Sequence, residues 1–256
     1  MNQLAVTSEQ LPVTGEQLLV GHFQKVAIIV AGGSGVRMGA DVPKQFLLLA
    51  GRPVLMHTIE VFHRYDADMK LILVLPASQL GYWEELCVEH QFSIPLTLVA
   101  GGESRFMSVR HGLEEVLRQA PPPLLSDVLV AVHDGARPLV STDIIASVFE
   151  AAATHDAAYP AVNVVDTLRK ITLEGNVRDV EREQFRLVQT PQVFHAPVLL
   201  EAYTDAPDSP HYTDDVSVVT VKLECNPHIV AGSKENIKIT TPEDLMLAEA
   251  ILKCRK

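Results

Sequence analysis

Residues 26–31, Val-Ala-Ile-Ile-Val-Ala, form an unbroken apolar run that ends in glycines. Apolarity that does not alternate marks a strand covered on both faces. Leu71–Leu75, Leu96–Val99 and Val128–Val132 repeat the texture. Between these runs the period changes. Pro53 to Tyr65 starts with proline and carries Leu55, Ile59 and Phe62 on one stripe, and Ser104 to Arg118 carries Val109, Leu113, Val116 and Leu117 at helical spacing. Thr142 to His155 reads as a further helix with Ala and Ile on one side. Strand and helix in alternation predict βαβ units, hence an α/β fold with a mostly parallel, twisted sheet and helices on both faces. In such sheets ligands bind beyond the carboxyl ends of the strands. The loops that follow the apolar runs are where chemistry is expected.

The texture changes near residue 160. From Ala161 to Arg186 β-branched residues mix with charges around a Glu174-Gly175-Asn176 turn, which predicts a hairpin of Val164 to Ile171 and Val177 to Val180. Such a hairpin has too little apolar surface to stand alone and must pack on this domain or on a partner chain. Helices are predicted again at Ala196 to Tyr203 and Asp214 to Leu223. Two short strands follow, His228 to Ala231 and Asn236 to Thr240, then a helix from Pro242 to Lys253. Thr241 is placed as its N-cap, with Pro242 at the first position and Glu243 and Asp244 in the first turn. No internal repeat or low-complexity segment is visible.

Composition narrows the function. The chain has 256 residues, 47% hydrophobic and 21% charged, which suits an ordinary globular domain with a sizeable core. Its formal net charge is −11. An acidic surface repels phosphate backbones, which argues against nucleic acid as a partner. If the ligand is nonetheless a phosphate compound, the few cations must be gathered where it binds. Cys87, Cys225 and Cys254 are scattered without metal-ligand spacing, as suits a reducing compartment. Residues 1–24 hold no Lys or Arg and no long apolar run, so they read as a loose extension rather than a signal peptide. No stretch is long enough to span a bilayer, and a cytoplasmic protein without membrane contact is expected.

The first strand runs into Ala31-Gly32-Gly33-Ser34-Gly35-Val36-Arg37-Met38-Gly39, and the loop closes at Pro43-Lys44-Gln45-Phe46. Glycines there let backbone N–H groups cradle phosphates. No Gly-Lys-Ser/Thr follows, so this is not a Walker loop, and the glycine spacing fits a dinucleotide fingerprint poorly. Lys44 alone reads as a solvated loop lysine. Arg37 and Lys44 together, bracketing a phosphate cradle, suit a triphosphate whose charge is neutralised during transfer. A second glycine turn, Gly101-Gly102-Glu103-Ser104-Arg105, opens onto a helix that holds Ser108, with Ser104 as its cap. The fourth run ends in His133-Asp134-Gly135-Ala136-Arg137-Pro138. Asp134, just past a buried strand, sits where metal or substrate ligands are common. His133 reads as a general base or, more commonly for such a residue, as a structural histidine bonded to backbone. Arg137 is either Asp134's ion-pair partner or an anion site that Asp134 holds in position.

With these loops assembled, the sequence resembles the 2-C-methyl-D-erythritol 4-phosphate cytidylyltransferases of the non-mevalonate isoprenoid pathway, from Val26 to Leu252. The resemblance rests on the three loops above and on Glu235-Asn236-Ile237-Lys238-Ile239-Thr240-Thr241-Pro242-Glu243-Asp244-Leu245, in that order. Asp166-Thr167, Glu181-Arg182, Thr190-Pro191-Gln192 and Thr213-Asp214-Asp215 match between the last two. The resemblance implies that CTP and 2-C-methyl-D-erythritol 4-phosphate give the CDP-linked alcohol and pyrophosphate. Mg²⁺ is then required and is bound mainly through the CTP phosphates, with no side chain named as its ligand. It also implies a Rossmann-like nucleotidyltransferase domain over 25–256, with a β-arm over about 161–186 through which two copies form a homodimer. Arg37 and Lys44 match the family's transition-state stabilisers, and Arg182 and Lys238 its positioners of the incoming phosphate. Thr167 and Arg137 match further contacts to the methylerythritol phosphate, with Thr167 and Arg182 reaching the other subunit's site. Gly102, Glu103, Ser108 and Gly135 match cytidine-contacting positions. Ala31, Gly32, Gly33, Asp134 and Thr190 lie in the same matched stretches and are expected as further substrate contacts.

Two positions depart from the commonest family pattern: Ala31-Gly32-Gly33 replaces Ala-Ala-Gly, and Glu103 replaces Asp. Both keep the type of chemistry. No cyclase-like domain follows, so a monofunctional form is expected. A ribitol-5-phosphate cytidylyltransferase would share the first loop, the Pro-Lys-Gln-Phe stretch and a similar closing motif. The His133 to Arg137 stretch and Glu235-Asn236-Ile237-Lys238 favour methylerythritol phosphate. A NAD-dependent oxidoreductase would need a clean dinucleotide fingerprint and an acidic ribose ligand, and the sequence has neither. The charge puzzle has a local answer: Arg37, Lys44, Arg105, Arg137, Arg182 and Lys238 all fall in or beside motif loops, which predicts a cationic pocket inside an acidic surface.

Overall fold

The computed structural model describes residues 23–33, 42–120, 122–204, 206–209, 211–223 and 225–255. The elements run β1 (Gln24–Val30), β2 (Leu48–Leu49), β3 (Arg52–Pro53), α1 (Val54–Tyr65), β4 (Lys70–Leu75), α2 (Leu80–Glu89), β5 (Thr97–Ala100), α3 (Arg105–Gln119), β6 (Val128–Asp134) and α4 (Thr142–Ala152). There follow β7 (Ala157–Asn163), β8 (Arg169–Ile171), β9 (Val177–Asp179), β10 (Arg186–Val188), β11 (Gln192–His195), α5 (Ala196–Thr204), α6 (Asp215–Leu223), β12 (His228–Ala231) and α7 (Pro242–Cys254).

Eight strands form one sheet in the order β10-β7-β11-β6-β1-β4-β5, with β12 on the far side of β7. β1 pairs in parallel with both β4 and β6, and β4 with β5. β11 is antiparallel to β6 and β7, and β12 is parallel to β7, so only β10 and β11 run against the rest. The mostly parallel, Rossmann-like sheet is as the sequence predicts. The unbroken runs are explained by their two faces. Ala27, Ile29, Leu73 and Ala131 face α1, α2 and α4, whereas Ile28, Val74, Val130 and Val132 face α3, α5 and α6. Each fully buried Ile, Leu or Val side chain among them contributes about 1.5–3 kcal/mol.

Several expectations need correction. Asn236–Thr240 is not a strand. It is a loop held across the sheet end by Ile239 N–H to the Ala136 carbonyl (2.8 Å) and by the Asn236 amide to the Thr190 carbonyl (2.9 Å). Its apolar Ile237 and Ile239 serve a third small cluster with Leu49, Val54, Leu139 and Ala248, not a ladder. The helix from Thr142 stops at Ala152, not His155, because β7 begins at Ala157. At the two ends of the expected arm of about 161–186, residues 161–163 pair with Arg186–Val188 in the main sheet. Between them the β8–β9 hairpin forms its own exposed two-stranded sheet, registered Arg169↔Asp179 to Ile171↔Val177 around Gly175 at φ 80°. Several elements give no clear sequence signal: α2, which buries only Trp83 and Leu86, the seven-residue β7, and the short β2, β3, β10 and β11.

Candidate active site

The site lies at the carboxyl ends of β1, β4, β5 and β6. Three caps and turns set its walls. Ser104 caps α3, accepting from Met107 N–H at 3.1 Å, and the Ser108 hydroxyl accepts the Gly102 N–H at 3.2 Å while donating to the Ser104 carbonyl at 2.8 Å. The second glycine turn is thus folded onto the first turn of α3. Thr241 caps α7 in a reciprocal capping box with Asp244, which fixes the end of the Lys238 loop. Gly135 allows β6 to pass close to β1, since a Cβ there would sit 2.8 Å from Ala31 Cβ and 2.9 Å from Leu55 Cδ1.

Between these loops is a cleft of about 240 Å³. Of the residues expected from sequence, Ala31, Gly32, Gly33, Lys44, Gly102, Glu103, Ser108, Asp134 and Lys238 line it. Lys44 lies over the first glycine turn, with its Cε 3.0 Å from where a Cβ on Gly33 would stand. Gln45 beside it is buried and donates to the Ala31 carbonyl at 2.8 Å and to Gln79 Oε1 at 2.7 Å, which ties the Pro-Lys-Gln-Phe turn to β1.

Asp134 organises the cleft floor. It is 7% exposed, and its carboxylate meets Lys238 Nζ at 2.9 Å, Arg137 Nε at 3.3 Å and Arg105 Nε at 3.6 Å. Burial alone would raise its pKa, but Arg105, Lys238 and Arg137 outweigh burial and hold the carboxyl well below the usual carboxylate range. Arg105 is in turn forked by Asp215, at 3.0 Å from Nη1 and 2.7 Å from Nη2. Burial opposes the Arg105 charge, yet the two carboxylates raise its pKa further. Four of the six motif-loop cations therefore meet around one cleft: Lys44, Arg105 and Lys238 on its lining and Arg137 behind Asp134.

Other expected residues stand elsewhere. Arg137 does not line the cleft; its guanidinium bonds Asp134 and the Asn236 carbonyl (2.8 Å), which holds the Lys238 loop. Gly135 is likewise packing rather than lining. Thr190 is buried behind the floor, within hydrogen-bond reach of His133 Nδ1 at 3.0 Å and accepting the Asp134 N–H at 3.2 Å. The His133 Nε2 faces the Arg137 carbonyl at 3.2 Å, so the ring is neutral with its proton on Nε2 and accepts the Thr190 hydroxyl at Nδ1. Burial pushes the His133 pKa down to about 4. His133 is the structural histidine, not a base in the cleft. Thr167 and Arg182 are exposed on the arm and do not line this chain's cleft; Arg182 bonds the Val165 carbonyl at 2.7 Å and Glu183 at 3.1 Å. Arg37 lies outside the described residues.

Sequence reading named Arg105 as a motif-loop cation but gave it no role, and it missed the buried groups that hold the floor: Gln189, Gln192, Asn236 and Asp215. Gln192, Asn236 and Asp215 fall inside matched stretches and Gln189 just before one, but the stretches gave none of them a role. Of the two lining carboxylates, Asp134 is engaged by three cations and Glu103 is exposed, and no cluster of three or more His, Cys, Asp or Glu among the described residues could hold a metal.

Glycine turns and converging cations at the carboxyl ends of parallel strands define a nucleotide-binding Rossmann-like protein of the nucleotidyltransferase type. The family model for 2-C-methyl-D-erythritol 4-phosphate cytidylyltransferase matches residues 25–254, and the chain belongs to that family. A protein of that name from Azobacteroides pseudotrichonymphae is 51% identical over 90% of this chain and 99% of its own length. One from Bacteroides thetaiotaomicron is 49% identical over 90% of this chain and 100% of its own. Among solved structures, the Thermus thermophilus enzyme of the same name is 33% identical, with a TM-score of 0.68 over 90% of this chain and 100% of its own. The 4-diphosphocytidyl-2C-methyl-D-erythritol synthase of Anaerococcus prevotii has a TM-score of 0.76 at 27% identity, over 91% of this chain and 98% of its own. No helix among the described residues is long and apolar enough to cross a membrane.

Proposed function

We propose that this chain transfers CMP from CTP to 2-C-methyl-D-erythritol 4-phosphate, releasing pyrophosphate and forming 4-diphosphocytidyl-2-C-methyl-D-erythritol, as a cytoplasmic homodimer. The observation that carries the reading is the family match over 25–254, whose motif loops form the walls of one cationic cleft.

The chemistry follows from the groups present. An oxygen of the substrate's phosphate attacks the α-phosphorus of CTP, the α–β bridging P–O bond breaks, and pyrophosphate leaves with the electron pair. The attacking oxygen is already ionised at neutral pH, so no general base is needed. The neutral, buried His133 agrees with that. Catalysis reduces to positioning and charge stabilisation. Lys44, with Arg37, neutralises charge on the transferring phosphoryl group. Lys238 meets the incoming phosphate, exchanging its Asp134 contact for the substrate. No side chain is assigned to hold Mg²⁺; carried on the CTP phosphates, it would withdraw charge from the leaving pyrophosphate. The turn of Gly102, Glu103 and Ser108 lies where the cytidine would be read. The partner subunit's Thr167 and Arg182 complete the polyol-phosphate side. The arm supports this: Val165, Ile171 and Val177 are all more than half exposed, apolar surface that one chain leaves uncovered.

The test is pyrophosphate release with CTP and Mg²⁺, comparing 2-C-methyl-D-erythritol 4-phosphate with ribitol 5-phosphate, and CTP with ATP, GTP and UTP. Release with CTP and the methylerythritol phosphate alone is expected. Equal or faster release with ribitol 5-phosphate would overturn the assignment.

A further inference from the structure

Arg105 is a cleft cation whose guanidinium is held in a fixed geometry, and the group that holds it lies outside the cleft. Asp215, in the first turn of α6, is fully buried and does not line the cleft. Both its oxygens take part in an end-on fork to the Arg105 guanidinium, at 3.0 and 2.7 Å. Tyr203, from α5, donates its hydroxyl to the same carboxylate at 2.6 Å. The α6 end that presents Asp215 is itself anchored: the fully buried Gln192 of β11 accepts the N–H groups of Asp215 (3.0 Å) and Val216 (2.9 Å) and donates to Asp214 at 2.8 Å. Phe106, next to Arg105, stacks on Tyr203 at 4.6 Å and on Tyr212 at 6.0 Å between ring centroids.

An unrestrained arginine carries about 2 kcal/mol of side-chain entropy, some of which is lost on each ligand contact. The fork removes that freedom in advance and uses two of the five guanidinium N–H groups. Arg105 Nε then faces Asp134 at 3.6 Å, so the chain Tyr203–Asp215–Arg105–Asp134–Lys238 runs from a buried hydroxyl to the cleft amine. A carboxylate buried with no partner would be expensive, and this one is saturated by donors from two elements.

We propose that Asp215 is a positioning residue. Through its fork it holds the Arg105 guanidinium against the cleft wall, preset to receive the anionic chain of a nucleoside triphosphate, and it keeps Arg105 engaged with Asp134. This rests on the reading of the cleft as a CTP site. Asp215 touches no substrate; its effect passes through Arg105.

The test is a double-mutant cycle of Asp215→Asn and Arg105→Met, read as CTP binding by titration calorimetry, with wild-type turnover measured alongside. Each single change is expected to weaken CTP about tenfold, the scale of one charge-assisted hydrogen bond. The double variant should be no weaker than Arg105→Met, because Asp215 has nothing left to position. Losses that multiply in the double variant, or wild-type affinity in Asp215→Asn, would overturn the proposal. If Asp215→Asn does not fold, Tyr203→Phe keeps the ring stack and removes only the hydroxyl. A two- to threefold weaker CTP affinity then supports the proposal, and unchanged affinity overturns it. Wild-type protein that binds CTP but releases no pyrophosphate would defeat the cytidylyltransferase reading and leave the cycle to decide the role of Asp215.

Discussion

Asp134 and Arg182 both bring charge to the proposed site, in opposite settings. Asp134 is 7% exposed beneath Arg105, Arg137 and Lys238, at the end of a strand buried along its whole length. The Arg182 side chain is 48% exposed on a segment without a fully buried residue from 181 to 188, and its contacts are local, to Val165 and Glu183. The floor is preorganised by one chain's own packing. The arm presents its charges on apolar surface that this chain does not cover. One half of the site is finished at folding, and in our proposal the other half is finished only at assembly.

The sharpest way to break that contrast is at the floor. Asp134→Asn removes the one carboxylate shared by three cations and leaves them facing one another in a partly dry site. We expect a loss of about 3–5 kcal/mol of folding stability, the usual scale for breaking a buried pair, measured by urea denaturation. Arg182→Ala, by contrast, is expected to stay within about 0.5 kcal/mol of wild type. Equal losses in the two variants would abolish the distinction between floor and arm.

A second effect belongs to the floor alone. His133 is neutral in the fold down to about pH 4, against 6.5 for a free imidazole, because it is fully buried. Between those values the unfolded chain binds a proton that the native chain does not. Stability therefore rises with pH from about 4 to 6.5 and levels off above, a span worth about 3 kcal/mol. Asp134 adds its own loss only at still lower pH, since its folded pKa is depressed below an already acidic unfolded value. His133→Gln should flatten the upper window in urea titrations at pH 5 and 7.5 and leave the lower one. An unchanged slope would mean that another group carries it.

The same contrast decides what was readable in advance. The parallel core was legible because Val26–Ala31 and Val128–Val132 are apolar on both faces, a pattern few other structures permit. The loops after them were legible because glycine and cations are rare together. Asn236–Thr240 misled because Ile237 and Ile239 alternate with polar residues as a strand would, while their real partners are Leu49, Val54 and Leu139. α2 escaped because it buries only Trp83 and Leu86. The roles of Gln192, Asn236 and Asp215 could not be read at all. A buried polar residue is defined by partners up to 110 positions away, as Arg105 is from Asp215, and sequence spacing carries no trace of them.

Kinetics separate floor from arm next. Lys44→Ala should lower turnover about a hundredfold, near 2.7 kcal/mol, as for loss of one preorganised donor. Arg182→Ala should also be slow. Mixing the two variants as dimers then tests assembly: a hybrid has one site with Lys44 from one chain and the partner's Arg182 from the other. Random mixing would restore about a quarter of the wild-type rate. No recovery would place Arg182 in its own chain's site, or outside the site altogether.

The smallest expected effect on the fold is at the arm's tip. Leu173 is fully exposed in the β8–β9 turn region, and Ile171 and Val177 face each other across the ladder with 62% exposure each. None of them joins the apolar clusters on the two faces of the sheet or the small one against α7. Replacing Leu173 by Ser should therefore shift the stability of the monomeric unit by no more than about 0.5 kcal/mol. If the arm docks on a second copy, the triple change Ile171→Ser, Leu173→Ser and Val177→Ser should move the sedimentation coefficient toward that of a monomer and lower turnover with it, while Asp134, Arg105 and Lys238 stay in place. Monomeric protein with full turnover would show that one chain completes the site unaided; dimers that persist would move the contact off the hairpin and onto the uncovered Val165, Leu187 and Ile229 at its base. Either result would redraw the boundary between what folding finishes and what assembly must add.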